Sequence, residues 1–103
     1  MGYTSEIKNY EEAQKDLLWS PPERYNFARD VIDKWAEDPE KLAIKWVDDF
    51  GHRQDLTFAQ LSARSRRLCN AFEAAGIKRG DTVILVLGRN LEWWEILTAC
   101  IRM

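Results

Sequence analysis

The sequence has few cysteines and no excess of positive charge. These two features argue against a disulfide-rich or zinc-binding protein and against a nucleic-acid-binding one. Its only two cysteines, Cys69 and Cys100, form no Cys-x-x-Cys pair, which fits neither a disulfide framework nor a zinc site. We expect both to be small buried hydrophobic residues. The 15 basic residues are outnumbered by 17 acidic ones, giving a net charge of -2, so a nucleic-acid partner is not expected.

Long apolar runs are also missing. No stretch is long enough to span a bilayer, and residues 1–6 lack the basic end and apolar centre of a secretory signal. We therefore predict a cytoplasmic protein with no membrane span. What the chain does have is 46% hydrophobic residues, enough for one packed domain, so disorder is not expected.

The first quarter of the sequence predicts two helices and a connector. Apolar residues recur near helical spacing over residues 5–18, as in an amphipathic helix that lies on another surface. Residues 19–24 contain two consecutive prolines, which favours a connector. A second helix would follow with Asn26 as its N-cap and would end near Asp38. Its buried stripe would consist of Phe27, Val31 and Trp35.

A β-hairpin and a well-marked helix are predicted next. The hairpin joins residues 42–47 to a second run ending at Leu56, through a polar turn at residues 48–52. Thr57 and Gln60 form a capping-box pattern, so the helix should begin near Phe58 and end at Gly76. In the hairpin, the residues predicted to lie on one side are Leu42, Ile44 and Trp46. In the helix, the predicted apolar face consists of Leu61, Leu68, Phe72 and Ala75.

An uninterrupted apolar run at residues 82–87 predicts a central parallel strand. A turn at Gly88-Arg89 and a cap at Asn90 would lead into a last helix. Its buried face would hold Trp93, Leu97 and Cys100, with Trp94 and Ile101 beside them. A buried parallel strand needs neighbours that a hairpin does not supply. The predicted fold class is α/β: N-terminal helices, a β-hairpin and the first strand-helix unit of an incomplete doubly wound sheet.

Most residues of types that could take part in catalysis or binding are better interpreted as turn or surface residues. Arg79-Gly80-Asp81 matches an adhesion tripeptide, but a turn before a strand is favoured. The sequence shows no arrangement of serine, cysteine or carboxylate that would make His52 part of a catalytic triad, so it is better interpreted as a polar loop residue. The adjacent carboxylates Asp48-Asp49 and Glu11-Glu12 would point to different sides and do not resemble an acid/base pair.

Three further features could carry a function, but a structural interpretation is favoured for each. Gly88-Arg89-Asn90 could hold an anion at a helix start, although a simple turn is favoured because no phosphate-loop pattern is present. Trp93-Trp94 could stack on a planar ligand, although packing is favoured. The basic cluster is predicted to be a solvated helix face and consists of Arg64, Arg66 and Arg67.

Several ordered segments resemble one enzyme superfamily. The first core motif of adenylate-forming enzymes is similar to Leu56-Thr57-Phe58-Ala59-Gln60-Leu61, with Phe58 and Gln60 replacing a tyrosine and a glutamate. Residues 76–83 and the apolar run continue the resemblance. Residues 26–35, Glu92-Trp93-Trp94 and residues 99–103 resemble acyl-CoA synthetases, the medium-chain branch in particular. Gly88 stands where relatives often carry proline.

The resemblance implies ATP, Mg²⁺ and coenzyme A for a full-length parent and none of them in this segment. Catalytic, cofactor-binding and metal-binding residues would all lie beyond Met103, so none is assigned. Residues 1–103 would form the N-terminal fragment of the large adenylate-forming domain, with 1–25 as helix and connector and 26–103 as the start of the AMP-binding domain. Its partner would be the remainder of that domain, and on its own it would be inactive and would self-associate. The alternative is a free-standing interaction or self-association module.

Overall fold

Helices surround one small sheet in the computed structural model, which describes residues 9–18 and 20–103. The elements in order are α1 (Tyr10–Asp16), a π-helix (Ala28–Asp33), β1 (Leu42–Val47), β2 (Arg53–Thr57), α2 (Phe58–Ala74) and α3 (Leu91–Arg102). This mixture confirms the predicted α/β class. None of the helices within the described ranges has the length and apolar character that a bilayer crossing needs.

Helix α1 is shorter than predicted. Asn9 caps it, its side chain accepting a hydrogen bond of 3.0 Å from the amide of Glu11. Residues 5–8 of the predicted helix, and Trp19 of the connector, lie outside the described residues. No residue of α1 is buried, and Leu18 just beyond it is 93% exposed. The surface that this helix was predicted to lie on is therefore not supplied by the described part of the chain.

Asn26 caps the next helix as predicted, but that helix is a π-helix. The Asn26 side-chain oxygen accepts hydrogen bonds from the amides of Ala28 (3.0 Å) and Arg29 (3.3 Å). Ala28 and Ile32 are buried, whereas Phe27 is 47% exposed. The predicted stripe through Phe27 was wrong because it assumed the α-helical repeat, which the wider π-helical turn does not follow.

The β-hairpin is confirmed, with β1 and β2 antiparallel and Ile44 opposite Leu56. An irregularity between Leu42 and Ile44 interrupts the register. Because such a bulge changes which side chains face the core, Ala43 packs inward and Leu42 lies exposed. The predicted placement of Leu42 beside Ile44 was therefore wrong.

Helix α2 begins and ends as predicted. The Thr57 hydroxyl accepts from the Gln60 amide (3.1 Å), and the Gln60 side chain accepts from the Thr57 amide (2.9 Å). Gly76 has φ +89°, and the amide of Ile77 donates to the carbonyl of Phe72 (3.0 Å). The buried face was predicted correctly at Leu61 but wrongly beyond it, since the rest of that face carries smaller or more polar residues. The buried residues are Leu61, Ser62, Ser65 and Cys69, whereas Leu68 and Phe72 are half-buried and Ala75 is exposed.

The apolar core lies where the π-helix, the hairpin and the first turns of α2 and α3 meet. It consists of Ile32, Leu56, Leu61 and Leu91, with Ala43, Ile44, Trp46 and Phe58 packed against it. Leu56 is fully buried. The core is small, and it leaves one side of α3 uncovered.

The predicted central strand at residues 82–87 is not formed. These residues belong to no sheet, and Ile84 and Val86 are each 84% exposed. A strand exists only when a neighbour completes its backbone ladder, and no other described residue does so here. The apolar pattern favours a strand, but the pairing that a strand requires is absent from the described chain.

Helix α3 follows Asn90 as predicted, although the Asn90 side chain makes no capping hydrogen bond. Its buried residues are Leu91, Glu95, Thr98 and Ala99. The apolar face predicted to be buried is largely open: Trp94 is 47% and Ile101 39% exposed, and the other three are half-buried. The prediction was wrong because α2 packs on the other face of α3, where Arg64 pairs with Glu95, a contact that no local pattern reveals.

Candidate functional site

A bidentate ion pair joins the end of the π-helix to the end of α3. The guanidinium of Arg102 donates to both carboxylate oxygens of Asp33, each at 2.7 Å. The two side chains are 15% and 16% exposed, respectively. Parallel hydrogen bonds between these planar groups fix their relative orientation as well as their distance.

Helix α2 completes this arrangement, which we call the Asp33 cluster: Asp33, Ser62, Ser65, Arg66 and Arg102. Asp33 accepts further hydrogen bonds from Ser62 (2.7 Å) and Arg66 (3.0 Å). The Ser65 hydroxyl accepts from Arg102 (3.0 Å) and donates to the backbone carbonyl of Ser62 (2.9 Å). The cluster therefore ties three helices together through one carboxylate.

Electrostatics keep the cluster charged. Hydrogen bonds from Arg102 lower the pKa of Asp33 to about 2, with help from Ser62 and from the charges of Arg102 and Arg66, although burial opposes the shift. Asp33 in turn raises the pKa of Arg102. A carboxylate with so low a pKa is a poor general base near neutral pH. Within the described residues, its charged groups bond to one another across the π-helix, α2 and α3.

A second ion pair involves one arginine of the predicted solvated face. Arg64 on α2 donates to the Glu95 carboxylate on α3 at 2.8 Å, and Glu95 is 11% exposed. Arg66 also points to a carboxylate, that of Asp33, and Arg67 alone of the three has no part in these contacts. The solvated-face prediction holds for Arg66 and Arg67, which are exposed, whereas Arg64 is half-buried beside Glu95. Sequence reasoning also missed Asp33 and Arg102, because no local spacing connects residues so far apart.

The two cysteines lie near the same helix contact. Cys69 is buried, and its thiol donates to the carbonyl of Ala99 (3.2 Å). Burial raises the pKa of the Cys69 thiol, which keeps it neutral and unreactive. Cys100 is free and half-buried. The prediction of a buried hydrophobic cysteine is confirmed for Cys69 and holds in part for Cys100.

The predicted turn residues do lie in turns. The Asp81 carboxylate accepts from the amide of Lys78 (2.7 Å), which confirms the turn interpretation of Arg79-Gly80-Asp81. In the hairpin turn, the ring of exposed His52 pairs with Asp48, and Asp49 is exposed beside them. Glu11 and Glu12 lie in the first turn of α1. The two acidic pairs therefore belong to different elements, α1 and the hairpin turn.

The turn at Gly88-Arg89-Asn90 is held by the hairpin. The indole nitrogen of Trp46 donates to the carbonyl of Arg89 at 2.5 Å. The amide of Asn90 donates to the carbonyl of Gly88 at 2.9 Å. These contacts are those of a tight turn, which was the favoured interpretation.

Beside this turn, an open groove of about 940 Å³ lies between the hairpin and α3. Its lining is mostly apolar and includes Ile44, Phe58, Leu87, Trp93, Trp94 and Leu97. Trp93 and Trp94 pack edge to face, with ring centroids 4.7 Å apart. Across residues 9–18 and 20–103, no three His, Cys, Asp or Glu side chains are grouped to hold a metal ion. The described chain thus presents structural ion pairs and an apolar groove.

Comparison with known families identifies the class of protein. The family model described as AMP-binding enzyme matches residues 32–103. The chain therefore belongs to the AMP-binding enzyme family, as its resemblance implied.

Individual relatives show which members of the family the chain is similar to. The chain is 38% identical over 103 residues to human acyl-coenzyme A synthetase ACSM3, mitochondrial, a match that covers 93% of this chain and 18% of the relative. It is 41% identical over 88 residues to rat acyl-coenzyme A synthetase ACSM5, mitochondrial, covering 79% of this chain and 15% of the relative. The chain thus spans less than a fifth of the length of these relatives. The resemblance to acyl-CoA synthetases is confirmed.

Proposed function

We propose that this chain is the N-terminal, non-catalytic part of the large domain of an AMP-forming acyl-CoA synthetase. Residues 1–25 would be its first helix and connector, and residues 26–103 the start of its AMP-binding domain. The whole enzyme would convert a carboxylic acid, ATP and coenzyme A into acyl-CoA, AMP and pyrophosphate through an acyl-adenylate. A medium-chain fatty acid is the proposed acid. The family match and the names of the relatives support this proposal.

One observation supports the non-catalytic role: the least exposed charged side chains form ion pairs with one another. Asp33, Arg66 and Arg102 satisfy one another. Arg64 and Glu95 form the second internal pair. We therefore place no catalytic, cofactor-binding or metal-binding residue here.

The proposed reaction requires groups that the described residues do not offer. Attack of a carboxylate on the α-phosphate of ATP needs close positioning and stabilisation of the developing charge. The described residues do not fit this chemistry, because Arg64 and Arg102 are each paired with a carboxylate of the same chain and no three potential metal ligands are grouped among them. ATP, Mg²⁺ and coenzyme A would bind elsewhere in the enzyme. This chain would supply the rigid layer against which that part packs.

The coding sequence beyond codon 103 gives the first test. We expect it to encode a Ser/Thr/Gly-rich loop, and a stop codon with no such loop would contradict the proposal. The second test is ATP-pyrophosphate exchange by the whole protein, with fatty acids of graded length. Exchange that depends on the acid, with the highest kcat/KM for medium chains, is expected. Exchange by the pure 103-residue chain would refute its non-catalytic role.

The open apolar groove and the exposed residues 82–87 favour one second candidate, a free-standing interaction or self-association module. A stable dimer of the pure chain that unfolds cooperatively would support it. Light scattering combined with urea unfolding measures both properties. A nucleic-acid module is a third and weaker alternative, which undetectable binding to RNA and DNA would remove.

The cytoplasmic location predicted from sequence stays a proposal. The relatives compared above carry the word mitochondrial in their names. Fractionation of cells expressing the tagged whole protein, with markers for both compartments, distinguishes the two locations. Recovery with the mitochondrial marker would contradict the cytoplasmic one.

A further inference from the structure

The two cysteines lie on helices that pack against each other. Cys69 belongs to α2 and Cys100 to α3. The Cys69 thiol donates to the carbonyl of Ala99 at 3.2 Å, and Ala99 directly precedes Cys100. A peptide carbonyl oxygen is roughly 3 Å from the Cα atom of the next residue, so the Cys69 sulfur lies within about 6 Å of the Cys100 Cα atom.

That separation is close to the one that a disulfide requires. In a disulfide, a sulfur lies roughly 4 Å from the Cα atom of the partner cysteine. The remaining gap is at most about 2 Å, which a rotamer change and a small shift of one helix would close. Cys69 and Cys100 are both free thiols in the structure, so the bond between them would be formed by oxidation.

The electrostatics of Cys69 agree with this short separation. Burial is the largest cause of the raised pKa of the Cys69 thiol. The charge of Arg102 opposes the shift, whereas the charges of Glu73 and Cys100 add to it. An ionised Cys100 is therefore close enough to act on Cys69.

The two thiols differ in access. Cys69 is 8% exposed. Cys100 is half-buried and lines an open cavity of about 280 Å³ beside the turn at residues 77–81. Oxidation of a thiol depends on its exposure. A small neutral oxidant therefore contacts Cys100 first, whereas Cys69 is shielded from solution.

We propose that Cys100 and Cys69 form a dithiol site, which hydrogen peroxide oxidises to a reversible disulfide between α3 and α2. Cys100 is the thiol that meets the oxidant, and Cys69 is the thiol that resolves the product. Burial of Cys69 is compatible with its role, because attack on a neighbouring sulfur within the same chain requires proximity rather than access from solution.

The oxidation proceeds in two balanced steps. The Cys100 thiolate attacks one oxygen of the peroxide, the O–O bond breaks, and the second oxygen leaves as hydroxide, which takes up a proton to become water. Cys100 is then a sulfenic acid. The Cys69 sulfur attacks the Cys100 sulfur, the S–S bond forms, and the S–O bond breaks. The departing hydroxyl leaves as water with the proton of Cys69, so two thiols are oxidised and one peroxide is reduced to two waters.

Peptide mapping of the whole protein tests the bond without any substitution. Trypsin cleaves after lysine and arginine, so Cys69 is recovered in the peptide 68–78 and Cys100 in the peptide 90–102. After hydrogen peroxide, alkylation of the remaining thiols and digestion without reductant, we expect one joined species that is two hydrogen atoms lighter than the separate peptides. Dithiothreitol should separate it. Separate peptides with alkylated thiols, or peptides joined to cysteines elsewhere in the protein, would overturn the inference.

Two matched variants of the whole protein test the order of the steps. Cys69→Ser removes the resolving thiol, so labelling of Cys100 by a dimedone reagent specific for sulfenic acid should rise at least about 10-fold over the unsubstituted protein. Cys100→Ser removes the exposed thiol, so Cys69 should be oxidised at least about 10-fold more slowly than Cys100 is in the Cys69→Ser variant. Unchanged labelling in the first variant, or equal rates in the two, would overturn the assigned roles. These measurements require no ligase activity, so their outcome is independent of the proposed function.

Discussion

The two sides of α3 differ in a way opposite to that of most surface helices. The side against α2, which we call the closed side, carries Glu95, Thr98, Ala99 and Arg102. The open side carries Trp93, Trp94, Leu97, Cys100 and Ile101 and borders the groove and the small cavity. An amphipathic helix normally buries its apolar stripe. In this chain the closed side pairs Glu95 with Arg64 of α2, whereas the apolar side stays partly exposed.

The largest expected effect contrasts a residue of the core beside α3 with an exposed residue of the preceding segment. Leu56→Ala should lower the free energy of unfolding by about 3 kcal/mol, because Leu56 is fully buried and its loss leaves a cavity. Urea unfolding followed by tryptophan fluorescence measures this. The control Val86→Ala, at a residue 84% exposed, should change it by less than about 0.5 kcal/mol. Equal losses would contradict the difference in burial between Leu56 and Val86.

Removing the centre of the Asp33 cluster should have the next largest effect. Asp33→Ala leaves the mostly buried Arg102 unpaired and should lower the free energy of unfolding by about 2 kcal/mol, since partial exposure softens the loss. Asp49→Ala, at an exposed carboxylate, is the control and should be neutral in the same urea titration. The double variant Asp33→Ala with Arg102→Met should recover part of the loss, and a double variant as unstable as the sum would contradict pairing.

Lowering the pH should reduce the free energy of unfolding by protonating the Asp33 carboxylate. The pKa of Asp33 is lowered from 3.8 to about 2 in the folded chain, so its contribution is complete above pH 4 and is lost as the pH falls toward 2. The loss should be on the order of 2 kcal/mol. Urea unfolding at graded pH measures it. Asp33→Asn should flatten this part of the profile, and an unchanged slope would assign the effect to other carboxylates.

The smallest predicted effect concerns the cap of α2. Thr57→Ala removes the acceptor for the Gln60 amide and should cost about 1 kcal/mol. Thr57→Ser keeps the hydroxyl and should cost at most a few tenths of that amount. Thermal unfolding by circular dichroism compares the two variants. If they are equally stable, the capping box does not hold the start of α2.

Local patterns predicted local features well. The capping box at Thr57 and Gln60, the hairpin and the helix end at Gly76 each depend on residues within a few positions of one another. The faces of the helices were predicted less well. The α-helical repeat placed Phe27 in the core, whereas the π-helix exposes it and buries Ala28.

The candidate site shows the same limit. The Asp33 cluster unites residues from three helices, and its central pair is 69 positions apart in the sequence. Hydrophobic periodicity assigned the arginines of α2 to solvent because it does not contain the carboxylates of neighbouring elements. Only the packing of those elements showed that Arg64 and Arg66 have partners.

The sequence by itself determined the ends of α2, the hairpin and the family, because caps, turns and motif residues act over short separations. It also predicted a strand at residues 82–87 from their apolar character, and the described chain does not form that strand. The tertiary structure alone decided which helix faces are buried and that these residues stay unpaired within the described chain. Both outcomes depend on contacts between distant segments: an ion pair needs its opposite charge, and a strand needs its neighbour.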